Sequence, residues 1–270
     1  MSTSFDARPV TPHSILADRV LSLESELGRG MISIEAKKLL KEIKDLSQGL
    51  ESYLTEVSSP ASSRLSRLEE KTRAKDWQSA YHSGETGLLL EQEMISGTLE
   101  GQFLKLLVRL SQPREILEIG SFTGYSALAM AEGLEGCGKI TGIEYDESVA
   151  NFAQSYLNEA GFGERVKILH GDAKEVLVTL KGNCYDLVFI DADKQGYAAY
   201  FSALFDLCLV DSGSLIVVDN TLYQGEVYGQ ANLSANGAAV REFNAELRAD
   251  SRVEQVLIPL RDGVTLLWVK

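Results

Sequence analysis

Few of the residues that mark specialised protein classes are present. The chain has 3 cysteines in 270 residues (Cys137, Cys184 and Cys208), too scattered for a metal-spaced pair or a disulfide framework. That excludes zinc fingers and secreted disulfide scaffolds and fits a reducing cytosol, so a cytoplasmic location is expected. The 3 histidines, His13, His82 and His170, have no partner at ligand spacing. No apolar run reaches the ~18–20 residues that a membrane helix requires. The opening MSTSFDARPVTPHSILADRV lacks the basic-then-apolar build of a secretion signal. Positive charge is in deficit, with 26 Lys and Arg against 39 Asp and Glu for a net charge of −13. Neither a nucleic acid, gripped by neutralising its phosphates, nor a membrane is an expected partner.

What is present is an ordinary globular composition, 44% hydrophobic and 24% charged, with enough chain for one substantial core or two modest ones. Residues 1–12 are polar, carry two prolines, and are expected to be loose. Between Met31 and Val57, residues Leu39, Leu40, Ile43, Leu46, Leu50, Leu54 and Val57 recur at three- and four-residue steps, the stripe of an amphipathic helix. Ser58–Ser63 interrupts it as a linker. Arg64–Ala80 and Leu88–Leu110 are predicted as further helices. We therefore expect a helical extension over 1–85, serving as a cap or a homodimer contact, and a second unit over 86–270.

After Pro113 short β-branched runs alternate with helical segments. The runs are Glu115–Ile119, Lys139–Glu144, Arg165–His170, Tyr185–Asp191 and Ser214–Asp219. Helices are predicted over Gly124–Leu134, Glu147–Glu159, Ala173–Leu180 and Tyr197–Leu209. Such alternation requires a parallel sheet with helices on both faces. Val253–Pro259 and Val264–Val269 flank Asp262-Gly263 and read as a hairpin. The expected fold is α/β: a doubly wound, mostly parallel seven-stranded sheet with a terminal antiparallel strand, Rossmann-like, plus the helical extension.

Ligands of doubly wound sheets bind at the carboxyl ends of the strands. The first strand and turn read Glu118-Ile119-Gly120-Ser121-Phe122-Thr123-Gly124-Tyr125-Ser126. A dinucleotide fingerprint would place a glycine where Glu118 stands. A carboxylate there opposes a pyrophosphate and suits a positively charged cofactor such as S-adenosylmethionine (SAM). Glu144, ending the second strand, is placed to accept hydrogen bonds from ribose hydroxyls. Equally, Glu118 would serve as a solvated strand-end residue and the glycines as mere turn formers. Asp191 at the end of the fourth strand, with Asp219 and Asn220 at the end of the fifth, puts three oxygen donors on one rim. That set suits a hard divalent cation, Mg²⁺ above all, although strand ends commonly carry Asp and Asn as turn formers. Lys194, three residues past Asp191, would have its pKa lowered beside a cation and act as general base. Its alternative is a surface lysine.

Six stretches in order carry a resemblance that spans Glu93 to Lys270. They are Glu100-Gly101-Gln102-Phe103-Leu104, Glu118-Ile119-Gly120 with Thr123-Gly124-Tyr125-Ser126, Gly171-Asp172-Ala173, Asp191-Ala192-Asp193-Lys194, Asp219-Asn220-Thr221-Leu222 and Arg261-Asp262-Gly263-Val264-Thr265. The chain resembles the class I SAM-dependent methyltransferases, and within them the cation-dependent O-methyltransferases of the caffeoyl-CoA and catechol type. The resemblance implies that Asp191, Asp219 and Asn220 hold the metal and that Lys194 takes the acceptor's proton. It further implies that Gly120 and Ser126 contact the methionine part of SAM, Glu144 the ribose, Asp172 and Ala173 the adenine edge, and Asp193 the amino group. Glu100 falls in a motif of the cofactor side. The acceptor would be a small phenolic molecule, the setting secondary metabolism, and the assembly a homodimer.

Two departures bear on the acceptor. Gln195-Gly196-Tyr197 has glycine where the family has asparagine, at a position expected to border the acceptor. Tyr223 replaces the family's tryptophan; it and Tyr228 would line an aromatic pocket or simply pack in their loop. Three other readings stay open: a SAM enzyme acting on another nucleophile or without metal, a nicotinamide dehydrogenase, and a silent SAM-binding module.

Overall fold

A computed structural model describes residues 8–27, 33–229 and 233–270. The chain opens with helices α1 (Pro12–Leu27), α2 (Ile34–Val57), α3 (Ser63–Ala74), α4 (Trp77–His82) and α5 (Gly97–Ser111). The alternating part follows as β1 (Glu115–Ile119), α6 (Tyr125–Gly133), β2 (Lys139–Glu144), α7 (Glu147–Glu159), β3 (Val166–His170), α8 (Ala173–Thr179), β4 (Leu187–Ile190), α9 (Tyr197–Asp206) and β5 (Leu215–Val218). Helix α10 (Ala235–Ala249) then leads to the hairpin β6 (Val253–Ile258) and β7 (Val264–Val269).

The seven strands form one sheet in the order β3-β2-β1-β4-β5-β7-β6. All neighbours among the first five strands pair in parallel, and β7 runs antiparallel to both β5 and β6. The expected hairpin is therefore present, with its last strand inserted one place in from the edge. β4 is buried along its whole length and β1 over its last four residues, as strands covered on both faces must be. Alternate strand residues feed two cores. Leu117, Ile119, Val188, Ile190 and Val218 pack with Leu177 of α8, Leu204 of α9 and Phe243 and Leu247 of α10. Ile116, Leu187, Phe189 and Val217 pack on the other face with Leu104 of α5, Leu128 of α6 and Leu157 of α7. Leu65 and Leu68 of α3 join this second core and are almost wholly buried. At about 1.5–3 kcal/mol for each such side chain, α3 is held firmly to the sheet layer.

The structure revises several predicted boundaries. The helix expected over Arg64–Ala80 is broken in two, because Asp76 accepts the Ser79 N–H at 2.9 Å and starts α4 afresh. The helix expected over Leu88–Leu110 begins only at Gly97; residues 88–96 form an irregular segment containing one short 3-10 turn, Gln92–Met94. The stripe reaching back to Met31 starts its helix at Ile34, capped by Ser33, and Met31 itself lies outside the described residues. Of the stretch 1–12 expected to be loose, residues 1–7 also lie outside them. Helices α1 and α10 were not expected. The register of α10 is set by Val240, Phe243 and Leu247, all buried at three- and four-residue steps, and its start by Ser234, whose hydroxyl accepts the Gly237 N–H at 3.0 Å.

Candidate active site

From β1 the chain steps outward through β2 to β3, then returns to β4 and β5 on the other side, so the strand order reverses between β1 and β4. Crevices form at the carboxyl ends of such strands, and a cavity of about 580 Å³ opens there. Gly120 and Asp191 are the first residues past β1 and β4. They touch: Gly120 has a φ of +93°, and a Cβ on it would lie 2.1 Å from the Asp191 carbonyl oxygen. Only glycine allows the two strand ends to close to this distance.

On one side of this junction the carboxylates that face the cavity are satisfied by the backbone, while Glu118 behind them keeps a buried Oε1 without a partner among the described residues. Glu144 ends β2 and accepts the Phe122 N–H at 2.7 Å and the Asp146 N–H at 3.0 Å, one on each oxygen. Burial raises its pKa while those amides oppose the rise. Each oxygen keeps a second lone pair free for a ligand, and Glu144 lines the cavity together with Asp172 and Ala173. Asp172 also accepts the Lys174 N–H at 2.8 Å, which starts α8. Glu118 and Ser126 stand behind this wall rather than in it. Glu118 is 0% exposed and accepts the Ser121 hydroxyl at 2.5 Å. Burial pushes it up to about 7, against the lowering influence of Ser121 and Ser126.

Across the junction several carboxylate oxygens are held by cations or by nothing. Lys194 donates to Asp191 at 2.9 Å and to the Ala192 carbonyl at 3.1 Å. Burial alone would lower the Lys194 pKa, but Asp191, Tyr197 and Asp219 outweigh it and raise it. The lowered pKa expected from sequence is thus reversed in this arrangement, because the lysine faces acids on every side. Asp219 is almost fully buried, and its Oδ1 has no hydrogen-bond partner among the described residues. Glu100 of α5 is in the same condition at Oε1, while its Oε2 takes Arg261 at 3.3 Å. Burial first, then the charge of Asp219, raises the pKa of Glu100; burial first, then the charge of Asp191, raises that of Asp219 to about 6. Asn220 takes a left-handed turn with φ 56° and, like Asp193 and Tyr223, lines the cavity. Tyr228 does not; it is 65% exposed, so the expectation that it lines the pocket is corrected. Among the described residues no group of three His, Cys, Asp or Glu side chains is arranged to hold a metal ion. The candidate set here has two carboxylates and an amide.

A family profile described as O-methyltransferase matches residues 56–270. The chain belongs to the O-methyltransferase family. Among its relatives, a catechol O-methyltransferase of Niastella koreensis is 36% identical over 179 residues, covering 63% of this chain and 80% of that one. Caffeoyl-CoA O-methyltransferase 1 of Nicotiana tabacum is 35% identical over 184 residues, covering 64% and 76%. Of the solved structures, the SAH-bound methyltransferase PaMTH1 of Podospora anserina aligns with a TM-score of 0.73 at 29% identity, over 84% of this chain and 96% of that one. TomG of Streptomyces achromogenes, an O-methyltransferase in complex with SAM, aligns at 0.68 with 30% identity, over 82% and 96%.

Some of the residues that build this O-methyltransferase site had no role assigned to them from sequence. Arg261-Asp262-Gly263, read as a hairpin turn, ties three elements to the cavity. Arg261 donates to the Ile95 carbonyl at 3.2 Å, Asp262 accepts the Gln224 N–H at 2.6 Å, and the carbonyls of Asp262 and Gly263 accept the N–H groups of Leu222 and Thr221. Burial pushes Asp262 up to about 7. Tyr200 was missed altogether. A Cβ on Gly196 would lie 2.5 Å from its ring, so the glycine leaves the space into which Tyr200 leans, and the Tyr200 hydroxyl donates to Asp193. Position 196 does not border the cavity; Tyr200 does. The available signal was the four-residue step from the unexpected glycine, just before α9, to a tyrosine in the first turn of that helix.

Proposed function

We propose that the chain transfers the methyl group of SAM to a hydroxyl of a small phenolic, catechol-like acceptor, assisted by a divalent cation, Mg²⁺ in the first instance. The observation that carries this reading is the pair of buried, unpartnered carboxylate oxygens on Asp219 and Glu100, next to Asp191. A buried carboxylate without a donor is costly, and the raised pKa values there mark a site short of positive charge. An all-oxygen donor set in that condition fits a hard divalent ion, with Asp191, Asp219 and Asn220 as the residues that would hold it. When bound, such an ion supplies Lewis acidity toward a coordinated hydroxyl and fixes its orientation.

The chain's own groups supply the rest. Glu144 would accept the ribose hydroxyls, Asp172 and Ala173 would border the adenine, and Asp193, steadied by Tyr200, would take the amino group. Gly120, pressed on Asp191, brings the methionine end of SAM next to the acceptor side. Lys194 holds the proton that must leave and return. With the Asp191 charge engaged elsewhere, burial becomes the dominant influence on its ammonium and lowers its pKa, which makes it a general base. Holding nucleophile and methyl group in line supplies much of the remaining acceleration.

The test is turnover of SAM with a panel of catechols, before and after metal chelation. Methyl transfer should vanish with chelator and return with Mg²⁺. Transfer that persists both in chelator and in Asp219→Ala would exclude the cation-assisted route.

A further inference from the structure

The cavity has a wall that lies outside the family profile. The profile begins at residue 56, yet Arg8, Val10 and Thr11 line the cavity. Thr11 is 4% exposed and fixed from two directions. Its hydroxyl donates to Glu51 of α2. The same oxygen accepts the Ser14 N–H at 3.1 Å, and its carbonyl accepts the Ile15 N–H at 2.9 Å, which starts α1. Helix α1 is tied in turn to α2, where Lys44 pairs with Glu24 at 2.8 Å, and it touches the turn Tyr223–Gly225 that follows Asp219 and Asn220.

From Thr11 the chain runs back to Arg8, whose guanidinium grips Glu91, with Nε 3.1 Å from the carboxylate. Glu91 lines the cavity as well, in the irregular segment that reaches Arg261 through Ile95. The strap therefore joins two walls of the cavity, and its anchors are Glu51, Glu91 and the 223–225 turn. The Arg8–Glu91 pair is half exposed, 53% and 38%. Ion pairs in water are weak and exchange freely, the property needed of a contact that parts in each cycle.

We propose that Arg8 and Glu91 form a clasp that parts to admit the acceptor and closes the strap Arg8–Thr11 over it, so that residues outside the family profile set which acceptors fit. The proposal rests on reading this cavity as the methyl-transfer site.

Charge reversal and charge exchange test it: Arg8→Glu, Glu91→Arg, and the two together. Each single change should raise the KM for a small catechol roughly five- to tenfold, as expected when binding contacts are lost. SAH affinity by calorimetry should change by less than the KM does, since neither Arg8 nor Glu91 is among the residues proposed to hold SAM. The double exchange should restore KM. Amide hydrogen exchange of residues 88–94 should quicken in each single variant and slow again in the double one, a readout that needs no turnover. A KM unmoved in both single variants, no recovery in the exchange variant, or an equal loss of SAH affinity would overturn the clasp. Wild-type protein that methylates no catechol would instead count against the proposed reaction, while the exchange data would still decide the clasp.

Discussion

The two sides of the cavity use the same residue type in opposite ways. On the β1–β2 side each carboxylate that faces the cavity is answered by backbone amides: Glu144 by Phe122 and Asp146, Asp172 by Lys174. On the β4–β5 side Asp191 and Glu100 meet ammonium and guanidinium and one oxygen of Asp219 meets nothing, although Asp262 takes the Gln224 N–H and Asp193 the Tyr200 hydroxyl. Backbone amides are fixed by the fold and satisfy an acid without moving. That side is complete before any ligand arrives, and what it offers is spare lone pairs. The other side keeps a buried carboxylate oxygen without a partner on each of Asp219 and Glu100, so it is the side that a bound cation would change most.

The contrast makes different changes fail differently. Asp219→Ala should have the largest effect: roughly a 10³-fold or greater loss of kcat/KM, as for removal of a group that stabilises developing charge, with SAH binding by calorimetry retained. If SAH binding fell just as far, the two sides would not be separable. Lys194→Met should lower kcat by about 10²–10⁴-fold, the range for a lost general base, and should flatten the pH–rate profile. Glu144→Gln probes the satisfied side. It should weaken SAH by roughly tenfold or more through lost acceptor capacity while leaving cation affinity, read by titration with Mn²⁺, unaltered.

A stability measurement sharpens the comparison from behind the satisfied wall. The Glu118 carboxyl rises from 4.5 to about 7 on burial. The folded protein therefore binds its proton more tightly than the unfolded chain, and stability falls as pH rises from about 4.5 through 7. Ligand-free Glu118→Gln should match the wild type near pH 5 and exceed it at pH 8 by up to about 3 kcal/mol, as read from urea midpoints. Equal midpoints at pH 8 would show that the carboxylate is solvated after all. Tyr200→Phe should be mildest, a few-fold rise in the KM for SAM through loss of one hydrogen bond to Asp193.

Much of this was legible in the sequence because it rests on local pattern. The short apolar runs that end in Asp191 and Asp219 identify their strands, and a residue just past a parallel strand stands on the rim whatever surrounds it. Gly120 was legible as a turn, although the Asp191 carbonyl that presses on it is 71 residues away and leaves no trace in spacing. The same limit hid Arg261, whose partners Ile95 and Glu100 lie more than 160 residues back. Segment 88–96 was mistaken for helix because its apolar residues run on into those of α5, yet Leu88 and Leu89 are exposed there, and Leu90 and Ile95 are buried while lining a cavity. Helix α10 was hidden by the Gly, Ala and Asn of its first turn, which mimic a loop until Val240, Phe243 and Leu247 are counted.

With Gly120 on the donor side and Asp191 on the acceptor side, as proposed, their contact leaves no slack between the two berths. Were the two berths joined by side chains, rotamer changes could widen or narrow the gap between methyl carbon and oxygen. Here main chain abuts main chain, so the span is a property of the sheet itself. If the strap and the loop beyond Asn220 border the acceptor as proposed, changes there recast its pocket without disturbing the reach over which the methyl group travels.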